Sequence, residues 1–379
     1  MKIVFVSPGK FSVPPVIGTS VEHDIEMVGK SLYPHHVVIY TRKCEEYPVS
    51  TQEGHVEYRR FTYHHWRDYL QLVLEDLKRF HPDIIQVENR PQYISIIKNH
   101  FPHTPVVLNM HSLTFISSRL ISTEEANHAM GQVDALITNS RFLQREYEER
   151  FPQVEGKTYG IHLGIAPEHY RAAEKAKQKL RNLKNIYGIQ QGDRVLLFVG
   201  RIIKGKGLHH LINAMHQIRN RHESVKLLVV GSPRYGRNTS TRYFRRIKKE
   251  AKRLKDCIIF TQFIKPEDMP YMYQLADVVV TPSTGKEALC RVNLEAMASK
   301  KPVVTTDSGG IPEIVIDNET GYVVPIENIS EQLPQKINKL LQSKTLRKRF
   351  GENGLARVKD FTWEQTAKAY VNVYRKLIK

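Results

Sequence analysis

A chain of 379 residues exceeds the usual size of a single domain, and its make-up, 41% hydrophobic and 25% charged, is that of an ordinary globular protein. A formal net charge of +18 favours anionic partners, whereas three scattered cysteines, Cys44, Cys257 and Cys290, suggest neither a disulfide framework nor a zinc site. The sequence has no apolar run of the roughly 18 residues that span a membrane, and its opening MKIVFVSPGK reads as a buried strand rather than a signal peptide, so a cytoplasmic chain is expected.

Short apolar runs rich in Val and Ile alternate with amphipathic segments. A first series comprises KIVFVS (2–7), HVVIYT (36–41), DIIQVE (83–88), PVVLNMH (105–111) and ALITNS (135–140). A second comprises VLLFVG (195–200), KLLVVG (226–231), CIIFTQF (257–263), DVVVTPS (277–283) and PVVTTD (302–307). Continuous rather than alternating hydrophobicity predicts strands buried on both faces of parallel sheets, and the helical patterns between them predict an α/β fold. Between the series, YGIHLGIAPEHYRAAEKAKQ lacks strand character, which places a seam between two doubly wound domains near residue 165. The closing TWEQTAKAYVNVYRKLIK carries Trp363, Ala367, Tyr370 and Tyr374 at helical spacing and predicts a docking helix.

In such folds ligands bind at the carboxyl ends of the strands. The Pro-rich loop after the first run holds Gly18 ahead of a helix predicted from near Ser20, and it can turn backbone N–H groups toward an anion. The fingerprint GxGxxG is absent, which counts against a nicotinamide cofactor. His111 and Ser112 follow a predicted strand, where His111 suits either a substrate hydroxyl or phosphate, or a structural role. Segment 58–73, YRRFTYHHWRDYLQLV, gathers aromatic and cationic residues.

VLLFVGRIIKGKGLHH (195–210) fits GxxxxGK through Gly200, Gly205 and Lys206, but Gly207 replaces the Ser or Thr that would hold magnesium. Arg201 and Lys206 at a strand end suit a diphosphate held without metal: a guanidinium fork, a point charge and a helix N-terminus. STGKEALCRVNLEAMA (283–298) places Glu287 at the mouth of a helix predicted from near Leu289, and Glu295 about two turns in. Eight helical residues span about 12 Å, the reach of a nucleotide sugar, and the N–H groups of Leu289, Cys290 and Arg291 would face an anion. On this stretch alone, a helix-start acid with a solvent-facing glutamate is the better fit. In TDSGGIPEIV, Gly309 and Gly310 allow close backbone approach, and Pro312 suits a first helical position with Glu313 in the first turn. Finally, Arg234 to Asp256 carries ten Lys or Arg, as a solvated helix face or as a docking patch for an anionic membrane or coat surface. No nucleic-acid signature accompanies it.

Taken together, FVGRIIKGKG, ADVVVTPS, the pair Glu287 and Glu295 followed by AMA, and GGIPEIV resemble the retaining glycosyltransferases of family 4, which have the GT-B fold. Within that family, FIKPEDMPYMYQLADVVV and ALCRVNLEAMA are most similar to the bacterial spore coat type. The resemblance implies two Rossmann-like domains facing a cleft. Residues 1–164, with helix 363–379 packed back onto them, would form the acceptor side, and residues 165–362 would bind the nucleotide sugar. It assigns Arg201 and Lys206 to the diphosphate, Glu295 to the ribose, Glu287 to the donor sugar and His111 to the acceptor side. It further implies metal-independent hexosyl transfer and no cofactor beyond the donor, with UDP favoured over GDP. The acceptor would be a glycan, a lipid-linked sugar or a small molecule in spore coat or envelope synthesis. Two departures stand out. The family's Glu-Gly-Phe-Gly is Glu287-Ala288-Leu289-Cys290 here, and its Gly-Gly in the first loop is Gly18-Thr19. The first of these leaves open an alternative, a scaffold protein of the coat that has kept the fold and lost turnover.

Overall fold

The computed structural model describes residues 1–17, 19–234 and 239–378. Gly18, a candidate anion-binding residue, and positions 235–238 of the basic segment therefore lie outside the described residues. The chain forms two compact units, Met1–Gly164 with Trp363–Lys379, and Ile165–Thr362.

The first unit is built on β1 (Lys2–Val6), β2 (His36–Arg42), β3 (Ser50–Glu53), β4 (Val56–Phe61), β5 (Ile84–Glu88), β6 (Val106–Met110), β7 (Ala135–Thr138) and β8 (Thr158–Gly160). They lie in the order β3-β4-β2-β1-β5-β6-β7-β8, parallel except for β3, which runs antiparallel to β4 at the edge. Every residue of β5 and β6 is buried, so helices cover both faces and the hydrophobic pattern is continuous. The edge pair carries no such signal. β3 is STQE and mostly exposed, while VEYRRF of β4 alternates buried with half-buried positions and turns Arg60 inward. Arg60 is 2% exposed, and its guanidinium donates to the carbonyls of Pro48 and Val13 and to Thr51 Oγ1. Segment 58–73 thus divides: Tyr58 and Arg60 belong to the interior, and the helix Trp66–Phe80 follows.

The helix Trp363–Leu377 buries Trp363, Thr366, Ala367, Tyr370, Val373 and Tyr374 along one face and packs on the helix Ser20–Ser31. Its tyrosines reach the sheet: Tyr374 donates to Gln86 Oε1 at 2.5 Å, and Tyr370 accepts from Asn109 Nδ2 at 2.9 Å.

The second unit has β9 (Arg194–Val199), β10 (Val225–Val230), β11 (Ile258–Gln262), β12 (Val278–Thr281), β13 (Val303–Thr306) and β14 (Gly321–Val324), in the order β11-β10-β9-β12-β13-β14, with parallel pairing. The strand order reverses between β9 and β12, so the loops leaving these two strands diverge at the position where open α/β sheets bind ligands. A buried polar cluster fixes the helix that follows β12. Thr281 Oγ1 donates to Asn293 Oδ1 at 2.7 Å and lies 2.8 Å from Thr305 Oγ1, tying the helix Arg291–Ala298 to β12 and β13. The described part of the basic segment is mostly the helix Arg242–Ala251, which buries Ile247 and Ala251 in the core and turns its cations outward. Among the described residues no helix is long and apolar enough to cross a membrane.

Candidate functional site

In the second unit the site is assembled from the exits of β9 and β12. After β9, Gly200 takes φ 147°, and Arg201 follows in an exposed position. Lys204–Lys206 form a single 3₁₀ turn ending at Gly207, whose φ of 70° lies in the left-handed region. A Cβ at Gly207 would sit 1.7 Å from the Pro282 carbonyl oxygen. The residue that a magnesium-binding P-loop needs as Ser or Thr is therefore glycine for a backbone reason: the chain leaving β12 at Pro282 runs directly beneath it. The two loops are stitched together by the N–H groups of Thr284 and Gly285, which both donate to the Gly205 carbonyl at 2.9 and 3.0 Å. This brings Lys206 Nζ to 2.7 Å from Glu287 Oε1, a pairing that neither stretch of sequence reveals.

The loop after β13 fixes the backbone of Glu287. Gly310 N–H donates to the Glu287 carbonyl at 2.9 Å, and a Cβ on Gly309, at φ 61°, would lie 2.0 Å from that same oxygen. The two glycines serve this close approach. The helix expected at Pro312 and Glu313 is one 3₁₀ turn, Ile311–Glu313, and the Glu313 carbonyl accepts from Arg357 at 3.0 Å.

The helix after β12 begins at Arg291, not near Leu289. Leu289 is 2% exposed and anchors the loop in the core, while Cys290 adopts φ 60°, ψ 67°, a left-handed conformation that glycine would accept without strain. Residues 287–290 are not helical, so the expected helical spacing of Glu287 and Glu295 does not apply, and Glu295 is the fifth residue of the helix. Burial first, then the charge of Glu287, pushes the Cys290 thiol up to about 12, so it stays protonated at neutral pH.

Glu295 and Arg291 are both half-buried. Glu295 Oε2 accepts a 2.6 Å hydrogen bond from the hydroxyl of Tyr273, which belongs to the helix Met269–Leu275. Tyr170, from the helix Pro167–Ala172, meets Tyr273 edge to face at 5.9 Å. Burial, reinforced by the Glu295 carboxylate, holds both phenols well above the ordinary tyrosine range. These tyrosines escaped the sequence analysis. MPYMYQLA reads as a core helix, and Tyr273 looks there like any buried aromatic.

In the first unit His111 follows β6 and is 8% exposed. Its backbone N–H donates to Asn89 Oδ1 at 2.9 Å. Its ring lies between two carboxylates: Nε2 is 3.1 Å from Glu88 Oε2, a hydrogen bond, and Nδ1 is 3.6 Å from Asp24 Oδ2, an ion-pair distance. Burial works to lower the pKa of this imidazole, but Asp24 and Glu88 together outweigh it and raise the value to about 9. His111 is thus a cation at neutral pH and no proton acceptor. Gln86 and Asn109 complete the cluster around Glu88, at 2.6 and 3.4 Å, and burial raises the nearby Glu22 carboxyl.

Both parts of the chain match known families. Residues 34–169 match the model described as Glycosyltransferase Family 4, and residues 180–357 the model described as Glycosyl transferases group 1. Spore coat protein SA of Bacillus subtilis (strain 168) is 28% identical over 99% of this chain and 100% of its own length. Among solved structures, sucrose-phosphate synthase from Thermosynechococcus elongatus superposes with a TM-score of 0.79 at 22% identity, covering 100% of this chain and 99% of that one. Anabaena HepE in complex with UDP gives 0.78 at 20% identity, covering 99% and 100%. With the family 4 model on its first part, the group 1 model on its second and this fold throughout, the chain belongs to the glycosyltransferases of the GT-B type, which use nucleotide sugars.

Proposed function

We propose that this protein transfers a hexosyl group from a UDP-sugar to an acceptor hydroxyl, with retention of anomeric configuration and without a metal ion. The observation that carries the reading is the Lys206–Glu287 contact at the strand-order reversal, which sets a cation for phosphate beside a carboxylate for sugar hydroxyls. In the step itself, the acceptor oxygen bonds to the anomeric carbon on the face from which the diphosphate oxygen departs. The acceptor's proton passes to that departing oxygen. Lys206, Arg201 and the N-terminus of the helix Arg291–Ala298 stabilise the growing phosphate charge more in the transition state than in the ground state. Glu295, oriented by Tyr273, holds the ribose hydroxyls. With no hydroxyl at position 207, a cation side chain takes the charge-neutralising role that magnesium plays in P-loops. His111, charged between Asp24 and Glu88, orients groups and leaves the proton to the phosphate.

Similarity to a spore coat protein favours coat or envelope glycan synthesis as the setting, at the membrane surface or in the cytoplasm. The left-handed Cys290 within Ala288-Leu289-Cys290 favours a second reading, a scaffold that binds nucleotide sugar without turning it over. Thermal-shift screening of UDP, GDP, ADP and their sugars in EDTA, followed by product analysis for anomeric configuration, tests both. Stabilisation by UDP-sugars with an α-linked product from an α-linked donor is expected. A strict requirement for magnesium, or an inverted product, overturns the mechanism, and binding without turnover favours the scaffold.

A further inference from the structure

A cavity of about 530 Å³ lies within the first unit, at the carboxyl end of its sheet, where the strand order reverses between β1 and β5. Its volume suits a ligand the size of one or two sugar rings. Lys10, Arg42 and Arg90 line it, and among the described residues no Asp or Glu does. The two arginines are braced. The Arg42 guanidinium lies 4.6 Å from the Tyr63 ring centre and donates to the Tyr63 carbonyl at 3.2 Å. The Arg90 guanidinium lies 5.2 Å from the Phe115 ring centre and donates to the Asn89 carbonyl at 2.9 Å. Trp66 and Tyr93 stack at 5.5 Å with 24° between their planes, and both border the same space.

Neutral sugars call for carboxylates and amides to accept from their hydroxyls. This cavity is lined by one amide, Gln92, and otherwise offers prearranged guanidinium donors beside the Trp66–Tyr93 pair. We propose that it binds an acceptor sugar bearing a phosphate or carboxylate group, with the anion on Arg42 and Arg90 and the sugar ring against Trp66. The acceptor role rests on the transfer reading above; the charge preference rests on the cavity itself.

Calorimetric titration of the full chain with glucose 6-phosphate, glucuronate and glucose tests the proposal, with UDP titrated separately. At least one anionic sugar should bind tenfold or more tightly than glucose. A preference for glucose 6-phosphate identifies phosphate as the anion, and a preference for glucuronate identifies carboxylate. Arg42→Gln should weaken the anionic sugar tenfold or more and leave UDP affinity unchanged. Since Arg42 also braces Tyr63, the exposed Lys10→Gln serves as a second variant, with a smaller loss in the same direction. Equal binding of glucose, no binding of either anionic probe at millimolar concentration, or unchanged affinity in both variants overturns the proposal while UDP binding persists. Anionic-sugar binding in a chain that does not bind UDP removes the transfer reading, and with it the acceptor role.

Discussion

Lys206 and Glu287, 81 positions apart in sequence, meet at 2.7 Å because the N–H groups of Thr284 and Gly285 bind the Gly205 carbonyl and hold their two loops together. The pair is partly exposed, 26% and 14%, so its share of fold stability is small, under about 1 kcal/mol. Its share of catalysis should be large. Lys206→Met is expected to lower kcat/KM at least 100-fold, about 2.7 kcal/mol of transition-state stabilisation, with little change in urea unfolding. The double variant with Glu287→Gln should be barely worse than Lys206→Met alone, as groups acting together are non-additive. Retained full activity in Lys206→Met would end the proposed mechanism.

Cys290 carries a testable balance of small terms. Replacing it with glycine relieves a left-handed cost of about 1–2 kcal/mol, against a chain-entropy loss of about 0.5–1 kcal/mol and a lost buried thiol worth about 1 kcal/mol. Cys290→Gly should therefore unfold within about 1 kcal/mol of the wild type, whereas Cys290→Val, branched at Cβ, should lose about 2 kcal/mol or more. Equal losses in the two variants would show that thiol packing, not backbone conformation, governs the position. Thiol reagents should modify half-buried Cys44 well before Cys290 in the native protein.

Gly207→Ser is expected to abolish function without creating a magnesium site. The new Cβ would lie 1.7 Å from the Pro282 oxygen at a positive φ, so the chain leaving β12 and the start of the helix Leu208–Arg219 must separate. A loss of roughly 3 kcal/mol or more in denaturant midpoint analysis is expected. A folded, magnesium-activated Gly207→Ser enzyme would contradict this reading of the loop.

The imidazole of His111 makes stability depend on pH. Its pKa rises from an ordinary 6.5 to about 9 in the fold, so its contribution is fully present below pH 6.5 and is lost as pH rises through 9. Lys301 acts in the opposite sense. Burial lowers its amine to about 8, so stability recovers as pH rises from there toward its ordinary 10.5. The His111 part is isolated by subtracting the melting curve of His111→Gln from that of the wild type between pH 6 and 9.5. The difference should shrink steadily across that range; a constant difference would mean that His111 is not charged in the fold.

The parallel strands were legible because burial on both faces leaves continuous Val and Ile runs, as in IIQVE and VVLNM. The edge strand β3 and its neighbour β4 were hidden by the opposite circumstance, since STQE faces solvent and VEYRRF carries an inward arginine. At the site, the residue types were visible but not their partners. The Lys206–Glu287 and Glu295–Tyr273 contacts join distant segments through tertiary packing, which periodicity does not encode. The helix start was misplaced by two residues because the N-cap is Cys290, which gives none of the Ser, Thr, Asp or Asn signal that marks a helix start.

The reach of Tyr370 and Tyr374 to Asn109 and Gln86 also orders events on the ribosome. Translation yields the whole of Ile165–Thr362 before the helix that completes the first unit, so the first unit cannot close until the second has been synthesised. Until then the nascent first unit waits with the inner face of Ser20–Ser31 uncovered and two sheet side chains lacking their tyrosine partners. The gene thus encodes an insertion: one segment of the first unit is made only after the whole of the second.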